Sequence, residues 1–390
     1  MTAARRAAPG AAAARPRATD EDQRWMRRCL ELASSAPGRI LPNPRVGCVI
    51  VDARGRVLAE GLHRGPGTAH AEVDALRALG GRAAGATLYV NLEPCAHHGR
   101  TPPCAPVVAA AKVARVVIGA LDPVPGHGGG ARLLRRAGVV VTTGVLADEV
   151  RQHNRGFFTW ATTGRPYVVL KAAMTLDGKI ATASGQSRWI SGEPARALAH
   201  TWRAELEAIA VGRGTVAADD PRLTVRLPGA AAATDPVRVI LDSHARSAPA
   251  SHVFDTPGAL VACRTDASPR RLAALRARGA ELLRLPATAA GRPSVKALLR
   301  ALARRGLGSL LVEGGAEVHA AFLAAGVVDE LRLFVAPMVL GGTGASAGPS
   351  WVGGTGVAAL AGASRFALAA PPQQVGADVL LVLRPATSVW

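Results

Sequence analysis

A chain of 390 residues, 49 % of them apolar, has the length for two domains of ordinary size, each with its own core. Its apolar runs are short and broken by Arg, Gly and Pro, so none approaches the roughly 20 apolar residues of a membrane helix, and no membrane partner is expected. The 47 Lys and Arg against 28 Asp and Glu leave a formal charge of +19, but beyond the N-terminus the arginines are scattered and stacking rings are few, which favours small anionic ligands over nucleic acid.

Residues 1–20, rich in Ala, Arg and Pro and lacking the apolar stretch of a secretion signal, read as a disordered tail. The spacing of Trp25, Met26, Cys29, Leu30 and Leu32 predicts an amphipathic helix over 22–35. The apolar stretches 46–51 and 57–59 bracket Asp52-Ala53-Arg54-Gly55-Arg56 as a hairpin. A helix over 73–79, a strand over 86–90, a helix over 105–111 and a strand over 115–119 follow. A Gly-rich break at 126–130 precedes a helix over 131–137 and a strand over 139–142. Such alternation builds a three-layer α/β/α sandwich. A linking helix over 148–160 and a loop over 162–166 divide the chain into domains at 21–163 and 164–390. The second domain has predicted strands at 167–172, 208–211, 237–241, 259–263, 309–312 and 331–335, with helices at 194–206 and 295–304. It is a second α/β unit.

The chemistry gathers in two stretches, His70-Ala71-Glu72-Val73 and Glu93-Pro94-Cys95-Ala96-His97-His98-Gly99-Arg100-Thr101-Pro102-Pro103-Cys104. One imidazole and two thiolates give Zn²⁺ three ligands and leave a fourth position open, as catalytic rather than structural zinc requires. Such an ion brings the pKa of water toward neutrality, and Glu72 is close enough to His70 to carry protons without binding the metal. His-x-Glu followed by Pro-Cys and a further Cys is the arrangement of zinc deaminases, although two residues usually separate the cysteines and here eight do. Ordinary buried thiols beside a chance His-x-Glu are the plain alternative. The helix opening at His70 and the strand running into Cys95 favour the metal. His70, Cys95 and Cys104 are the expected ligands and Glu72 the expected catalytic residue. Cys29, Cys48 and Cys263 are left as small buried residues, and a metal thiolate site with an odd cysteine count fits a reducing cytoplasm.

The second half is less decisive by itself. Residues 310–318 read as a strand, a glycine pair and a helix of small apolar residues, a turn whose free N–H groups suit a phosphate. The longer glycine fingerprint of dinucleotide sites is absent, and Gly212-Arg213-Gly214-Thr215 adds a second weak instance. A bare strand–helix turn stays equally open.

Several segments together carry a resemblance. The Cys-x8-Cys stretch with Ala-His-His-Gly-Arg-Thr-Pro-Pro inside it, Asn43-Pro44-Arg45-Val46-Gly47-Cys48-Val49-Ile50-Val51 and Gly119-Ala120-Leu121-Asp122-Pro123 lie in the first half. His153-Asn154-Arg155-Gly156-Phe157 and Lys171-Ala172-Ala173-Met174-Thr175-Leu176-Asp177-Gly178-Lys179-Ile180-Ala181 follow. From about Asp22 to near the C-terminus the chain resembles the bifunctional deaminase–reductases of riboflavin biosynthesis. The resemblance implies a cytidine-deaminase-like first domain, a dihydrofolate-reductase-like second domain, one Zn²⁺ and NADPH. It also implies two reactions on phosphorylated pyrimidines. The first is hydrolytic deamination of 2,5-diamino-6-(5-phosphoribosylamino)pyrimidin-4-one. The second is reduction of the ribosyl group of 5-amino-6-(5-phosphoribosylamino)uracil to a ribityl group.

By the same resemblance Ala173, Trp189, Thr215, Asp219, Ser243 and the run Gly315, Ala316, Glu317, Val318, His319, Ala320, Ala321 contact the cofactor. Ser187, Arg203, Leu223, Arg226 and Glu313 contact the substrate. Arg203 and Arg226 have the geometry to fork onto a phosphate, and Glu313 to accept from pyrimidine N–H groups. Asn43, His97 and His98 are candidate pyrimidine, ribose or phosphate contacts and equally turn or loop residues. Asp219 and above all Asp220 are open to a turn or capping role before Pro221. Lys179 is a candidate proton donor or phosphate ligand and equally a solvated residue, and Lys171 and Asp177 have no assigned role. The chain departs from the family at Asp122-Pro123-Val124-Pro125, where Asn is more frequent between the prolines. A homo-oligomer is expected. Two other readings are a zinc deaminase whose second domain is a scaffold, and a nucleic-acid-editing protein. Trp189, Arg203, Asp219, Arg226 and the Glu-Gly-Gly loop weigh against the first, the scarce aromatics and the cysteine spacing against the second.

Overall fold

The first helix, α1 (Asp20–Ser34), starts at a reciprocal cap: Thr19 Oγ1 accepts from the Asp22 N–H at 3.1 Å and Asp22 Oδ2 from the Thr19 N–H at 2.9 Å. The computed structural model describes residues 18–36, 43–99, 101–227 and 235–386, so the expected tail lies outside the described residues except at 18–20, where this cap already stands. The chain divides into two compact units, Met1–Phe158 and Thr159–Trp390.

In the first unit β1 (Gly47–Val51) and β2 (Val57–Leu62) form the predicted antiparallel hairpin, its turn fastened by Asp52 Oδ1, which accepts from the N–H groups of Arg54 and Arg56. Then come α2 (Ala71–Ala78), β3 (Thr87–Leu92), α3 (Cys104–Ala110), β4 (Arg115–Ala120), α4 (Gly130–Arg136), β5 (Val140–Thr143), α5 (Ala147–His153) and α6 (Arg155–Thr163). The sheet order is β2-β1-β3-β4-β5, with β3, β4 and β5 parallel.

Two glycines show that helices cover both faces. A Cβ on Gly47 would lie 2.2 Å from Cys29 O of α1, and one on Gly61 would lie 2.1 Å from Ala71 O of α2. Gly61 pairs with Cys48, the chain neighbour of Gly47, and successive strand residues point to opposite faces. The two helices therefore sandwich the sheet, and all five residues of β1 are buried. The linking helix expected over 148–160 is two helices, broken at Asn154. Its side chain holds the Arg45 main chain, Oδ1 accepting at 2.8 Å and Nδ2 donating at 2.9 Å. The division between units falls inside α6, ahead of the boundary expected at 163/164.

The second unit runs β6 (Tyr167–Thr175), α7 (Glu193–Glu205), β7 (Ala208–Gly212), α8 (Arg213–Asp219), β8 (Val237–Leu241), β9 (Ala259–Arg264), α9 (Pro269–Ala277) and β10 (Glu281–Leu285). It continues with α10 (Val295–Arg304), β11 (Ser309–Gly314), α11 (Ala316–Ala324), β12 (Glu330–Ala336), β13 (Phe366–Leu368), β14 (Gln373–Val375) and β15 (Asp378–Pro385). The strand order is β10-β9-β8-β7-β11-β6-β12-β15-β13, with β14 also on β15. The sheet is parallel from β10 to β12 and antiparallel beyond.

Alternation splits the core in two. Val169, Ile209 and Leu311 point into one cluster with Trp202 and Phe334, while Val168, Leu170, Ala210 and Val312 point into another with Leu298 and Phe322. Both units are of the expected α/β class. Among the described residues no helix is long and apolar enough to cross a membrane.

Candidate functional site

In the first unit the loops that end β2 and β3 deliver the metal donors. His70 is the N-cap of α2, Cys95 follows β3, and Cys104 is the first residue of α3. The ring nitrogen of His70 and the sulfurs of Cys95 and Cys104 all lie within 4.8 Å of one another. His70 Nδ1 is 3.0 Å from Cys104 Sγ and 3.5 Å from Cys95 Sγ. Its Nε2 meets Thr101 Oγ1 at 3.3 Å, a contact that orients the ring. The Cys104 thiol holds the Cys95 sulfur well below the usual thiol range, at about 4, helped by His70 and by the Cys104 N–H, which reaches the sulfur at 3.3 Å. One nitrogen and two soft sulfurs converging this closely fit zinc. Glu72, 3 % exposed in the first turn of α2, has its carboxyl pushed up to about 7 by burial.

Around this triad the structure orders groups that the sequence left open. Asn43 Nδ2 donates to His63 Nε2 at 2.8 Å, and His63 Nδ1 donates to Ala69 O at 3.1 Å, so His63 is neutral, in keeping with the downward push of burial on its pKa. The His63 ring stands edge-on to His70 at 5.2 Å. His97 stacks on His127 at 3.7 Å between centroids, and its buried Nδ1 has no partner among the described residues. His98 is exposed. Glu93 ties down the loop that departs from the family: Oε1 accepts from Gly129 and Ala131 at 3.0 Å, and Oε2 from the Asp122 N–H at 3.2 Å. Asp122 Oδ1 in turn accepts from Val124.

In the second unit the expected cofactor residues cluster at the carboxyl ends of parallel strands, where open α/β sheets take ligands. Ala173 is near the end of β6, Thr215 and Asp219 are on α8 after β7, Ser243 follows β8, and Gly315 caps α11 after β11. Gly314 has φ 111°, a backbone conformation that strains any side chain, and a Cβ there would also lie 3.3 Å from the His319 ring, a tight contact. A Cβ on Gly315 would come 3.5 Å from Thr215 Oγ1, so the two glycine turns are neighbours. Beside them is a cavity of about 360 Å³, lined among others by Arg213, Ser243, Arg246, Arg292, Glu317 and Val318. Free helix N–H groups and arginines along one cavity fit a phosphate-bearing cofactor.

Other expected residues fall differently. The His319 side chain lies beneath Gly314, 2 % exposed, with Nδ1 donating to Trp351 O at 2.7 Å. Trp189 is 66 % exposed under Arg196, and Ser187 is half-buried. Asp219 meets Arg188 through its main-chain O, and Asp220 is the left-handed cap of α8, the turn role left open for it.

Two residues of the expected substrate set are already engaged within the unit. Arg203 Nε and Nη2 each donate to Glu313 at 2.7 Å, and Nη1 reaches Thr224 O at 3.2 Å. The Leu223 side chain, 1 % exposed, belongs to the core, so only its main chain faces the loop. Burial would raise the Glu313 carboxyl, but Arg203 and then Lys171 hold it at about 2. Lys171 is lowered by burial, and His200 is lowered to about 4 by burial and by Arg203 and Arg226. Lys171, His200, Thr101, His63 and His127 escaped the sequence reading. Thr101 and Lys171 stood inside quoted motifs without an assigned role; His63, His127 and His200 are placed only by the fold.

Known proteins resemble both units. Residues 19–120 match the cytidine and deoxycytidylate deaminase zinc-binding region, and residues 166–367 match the RibD C-terminal domain. The chain is 40 % identical over 368 residues to the riboflavin biosynthesis protein RibD of Bacillus amyloliquefaciens, covering 93 % of this chain and 96 % of that protein. It superposes on Acinetobacter baumannii RibD with a TM-score of 0.79 at 38 % identity, over 94 % of this chain and 99 % of the other. The same TM-score and coverage, at 35 % identity, relate it to a Thermotoga maritima diaminohydroxyphosphoribosylaminopyrimidine deaminase/5-amino-6-(5-phosphoribosylamino)uracil reductase. With a deaminase zinc region in one unit and the matching C-terminal domain in the other, this chain belongs to the RibD family of riboflavin biosynthesis proteins.

Proposed function

We propose that the chain performs two successive steps of riboflavin biosynthesis. The first unit releases ammonia by hydrolysis from 2,5-diamino-6-(5-phosphoribosylamino)pyrimidin-4-one, and the second reduces the ribosyl group of the resulting uracil with NADPH. The carrying observation is the convergence of His70 Nδ1 and the two sulfurs within 4.8 Å beside a buried Glu72.

Held by His70, Cys95 and Cys104, zinc would supply Lewis acidity that makes water a nucleophile near neutral pH. Glu72, buried beside the metal donors, takes a proton from the attacking water and returns protons to the ring nitrogen and the departing ammonia. Asn43, ordered by His63, and His97, stacked on His127, line up as contacts for the pyrimidine and its ribose phosphate.

In the second unit NADPH would supply the hydride. Ala173, Thr215, Ser243 and the residues from Gly315 to Ala321 hold it along the strand ends, His319 from below. Trp189 joins from its loop and Asp219 from the end of α8. Arg226, exposed beside the Arg203–Glu313 pair, takes the substrate phosphate, and Glu313 meets the pyrimidine edge as a permanent anion. Ser187 and the Leu223 main chain complete the substrate contacts.

The same reading places the protein in the cytoplasm as a homo-oligomer. Five free cysteines suit a reducing compartment, and the exposed Leu176, Val339 and Leu340 offer an apolar contact on the second unit. Incubating the zinc-loaded protein with the diaminopyrimidine, first without and then with NADPH, tests both steps. Ammonia should appear without NADPH, and NADPH should be oxidised only after deamination. Absence of ammonia release would overturn the first assignment, and absence of NADPH oxidation the second.

A further inference from the structure

The segment 222–227 has no regular secondary structure, so its main-chain groups must be satisfied from outside. Side chains do this. Arg203 Nη1 donates to Thr224 O at 3.2 Å, Asp235 Oδ1 accepts from the Val225 N–H at 2.8 Å, and His200 Nδ1 accepts from the Arg226 N–H at 3.1 Å. His200 and Arg203 lie three positions apart on α7, one turn of one helix face, so a single helix grips the loop at two points. The Leu223 side chain, sunk in the core with φ at 55°, is a further anchor upstream.

The Arg226 N–H can donate only to an unprotonated ring nitrogen, so His200 is a neutral imidazole with its proton on Nε2. Burial, with Arg203 and Arg226 close by, keeps it so. His200 therefore acts on the residue that carries the exposed guanidinium, through the main chain of that residue.

We propose that His200 is a positioning residue of the reduction, fixing the 224–226 main chain so that the Arg226 side chain meets the substrate. The proposal rests on the assignment of Arg226 to the substrate. His200 touches no reacting atom; it sets where the Arg226 side chain begins.

The test uses the full chain with His200→Leu, which removes the acceptor, and His200→Asn, which keeps an acceptor atom at nearly the same distance from the backbone. Hydrogen–deuterium exchange of the peptide containing Arg226 reports the clamp itself. It should quicken about fivefold in the Leu variant, the worth of one net hydrogen bond, and stay near wild type in the Asn variant. The KM for the deaminated pyrimidine should rise about fivefold in the Leu variant with kcat and NADPH affinity held, and recover in the Asn variant. Ammonia release should be the same in all three proteins. Unchanged exchange in the Leu variant, or an Asn variant as impaired as the Leu variant, would overturn the proposal. Quickened exchange with an unchanged KM would leave the clamp and overturn its role in substrate binding. A wild-type protein that fails to reduce the pyrimidine at all overturns the functional reading instead, and exchange at Arg226 then still decides the clamp.

Discussion

Arg203 and Glu313 meet through two parallel hydrogen bonds of 2.7 Å across 110 positions of sequence, one from α7 and the other near the end of β11. The side chains are 13 % and 10 % exposed, so each charge depends on the other for the solvation it has lost. Arg203→Ala should destabilise the second unit by about 3–5 kcal/mol, the cost of leaving a buried charge unpaired. Replacing both, as Arg203→Met with Glu313→Leu, should cost clearly less. Chemical denaturation of the two variants makes the comparison, and equal losses would mean the pair is not coupled.

Metal binding and proton transfer should separate cleanly in the first unit. Cys104→Ser should lower zinc content well below one equivalent and abolish ammonia release. Glu72→Gln should retain zinc and lose ammonia release by at least about 100-fold, because the amide neither accepts nor returns a proton. Metal analysis and ammonia assays of the two proteins decide it; a Gln variant within a few-fold of wild type would assign the proton transfer to another group.

Arg226→Ala should raise the KM of the second reaction about 10-fold, the scale of a lost charge-assisted contact, and leave ammonia release intact. Steady-state kinetics on both substrates read this directly. Equal damage to both reactions would contradict the assignment.

Acid should weaken the first unit through Asp22. Burial alone would raise its carboxyl, but Arg115, the Thr19 N–H and Tyr89 together hold it below its ordinary value of 3.8. A depressed folded-state pKa means the stabilisation is fully present above about 3.8 and is lost as pH falls toward the folded value. Asp22→Asn should cost about 2–3 kcal/mol at neutral pH and flatten the fall in Tm between pH 5 and pH 3. Thermal melts across that range measure both. A variant that keeps the wild-type slope would place the acid sensitivity elsewhere.

The zinc triad and Glu72 were legible because three ligand types and a carboxylate recur at spacings that helix starts and strand ends produce. Most parallel strands were legible as apolar runs, since burial on both faces leaves no polar alternation to confuse them. The three-residue strands β13 and β14 were not, because they are short and largely exposed, and the apolar run 379–383 of β15 was passed over although it has the same character. The break between α5 and α6 was missed because Asn154 interrupts the helix to serve Arg45, a partner that is distant in sequence. His200 was illegible for the same reason, and Lys171 stood in a quoted motif but without a role, because only the β6–β11 pairing and the approach of α7 bring them to Glu313.

The strand order of the second sheet also governs how the chain is made. β6 leaves the ribosome first among its strands, yet it lies between β11 and β12, which are synthesised only after β7, β8, β9 and β10. Until then both hydrogen-bonding edges of an apolar strand stand open, the condition in which chains pair with the wrong partner. The ribbon that seeds the sheet must wait for nearly the whole unit, whereas β1 finds β2 within a few residues. Nascent chains ending before β11 should therefore demand chaperone protection that chains ending after the first unit do not.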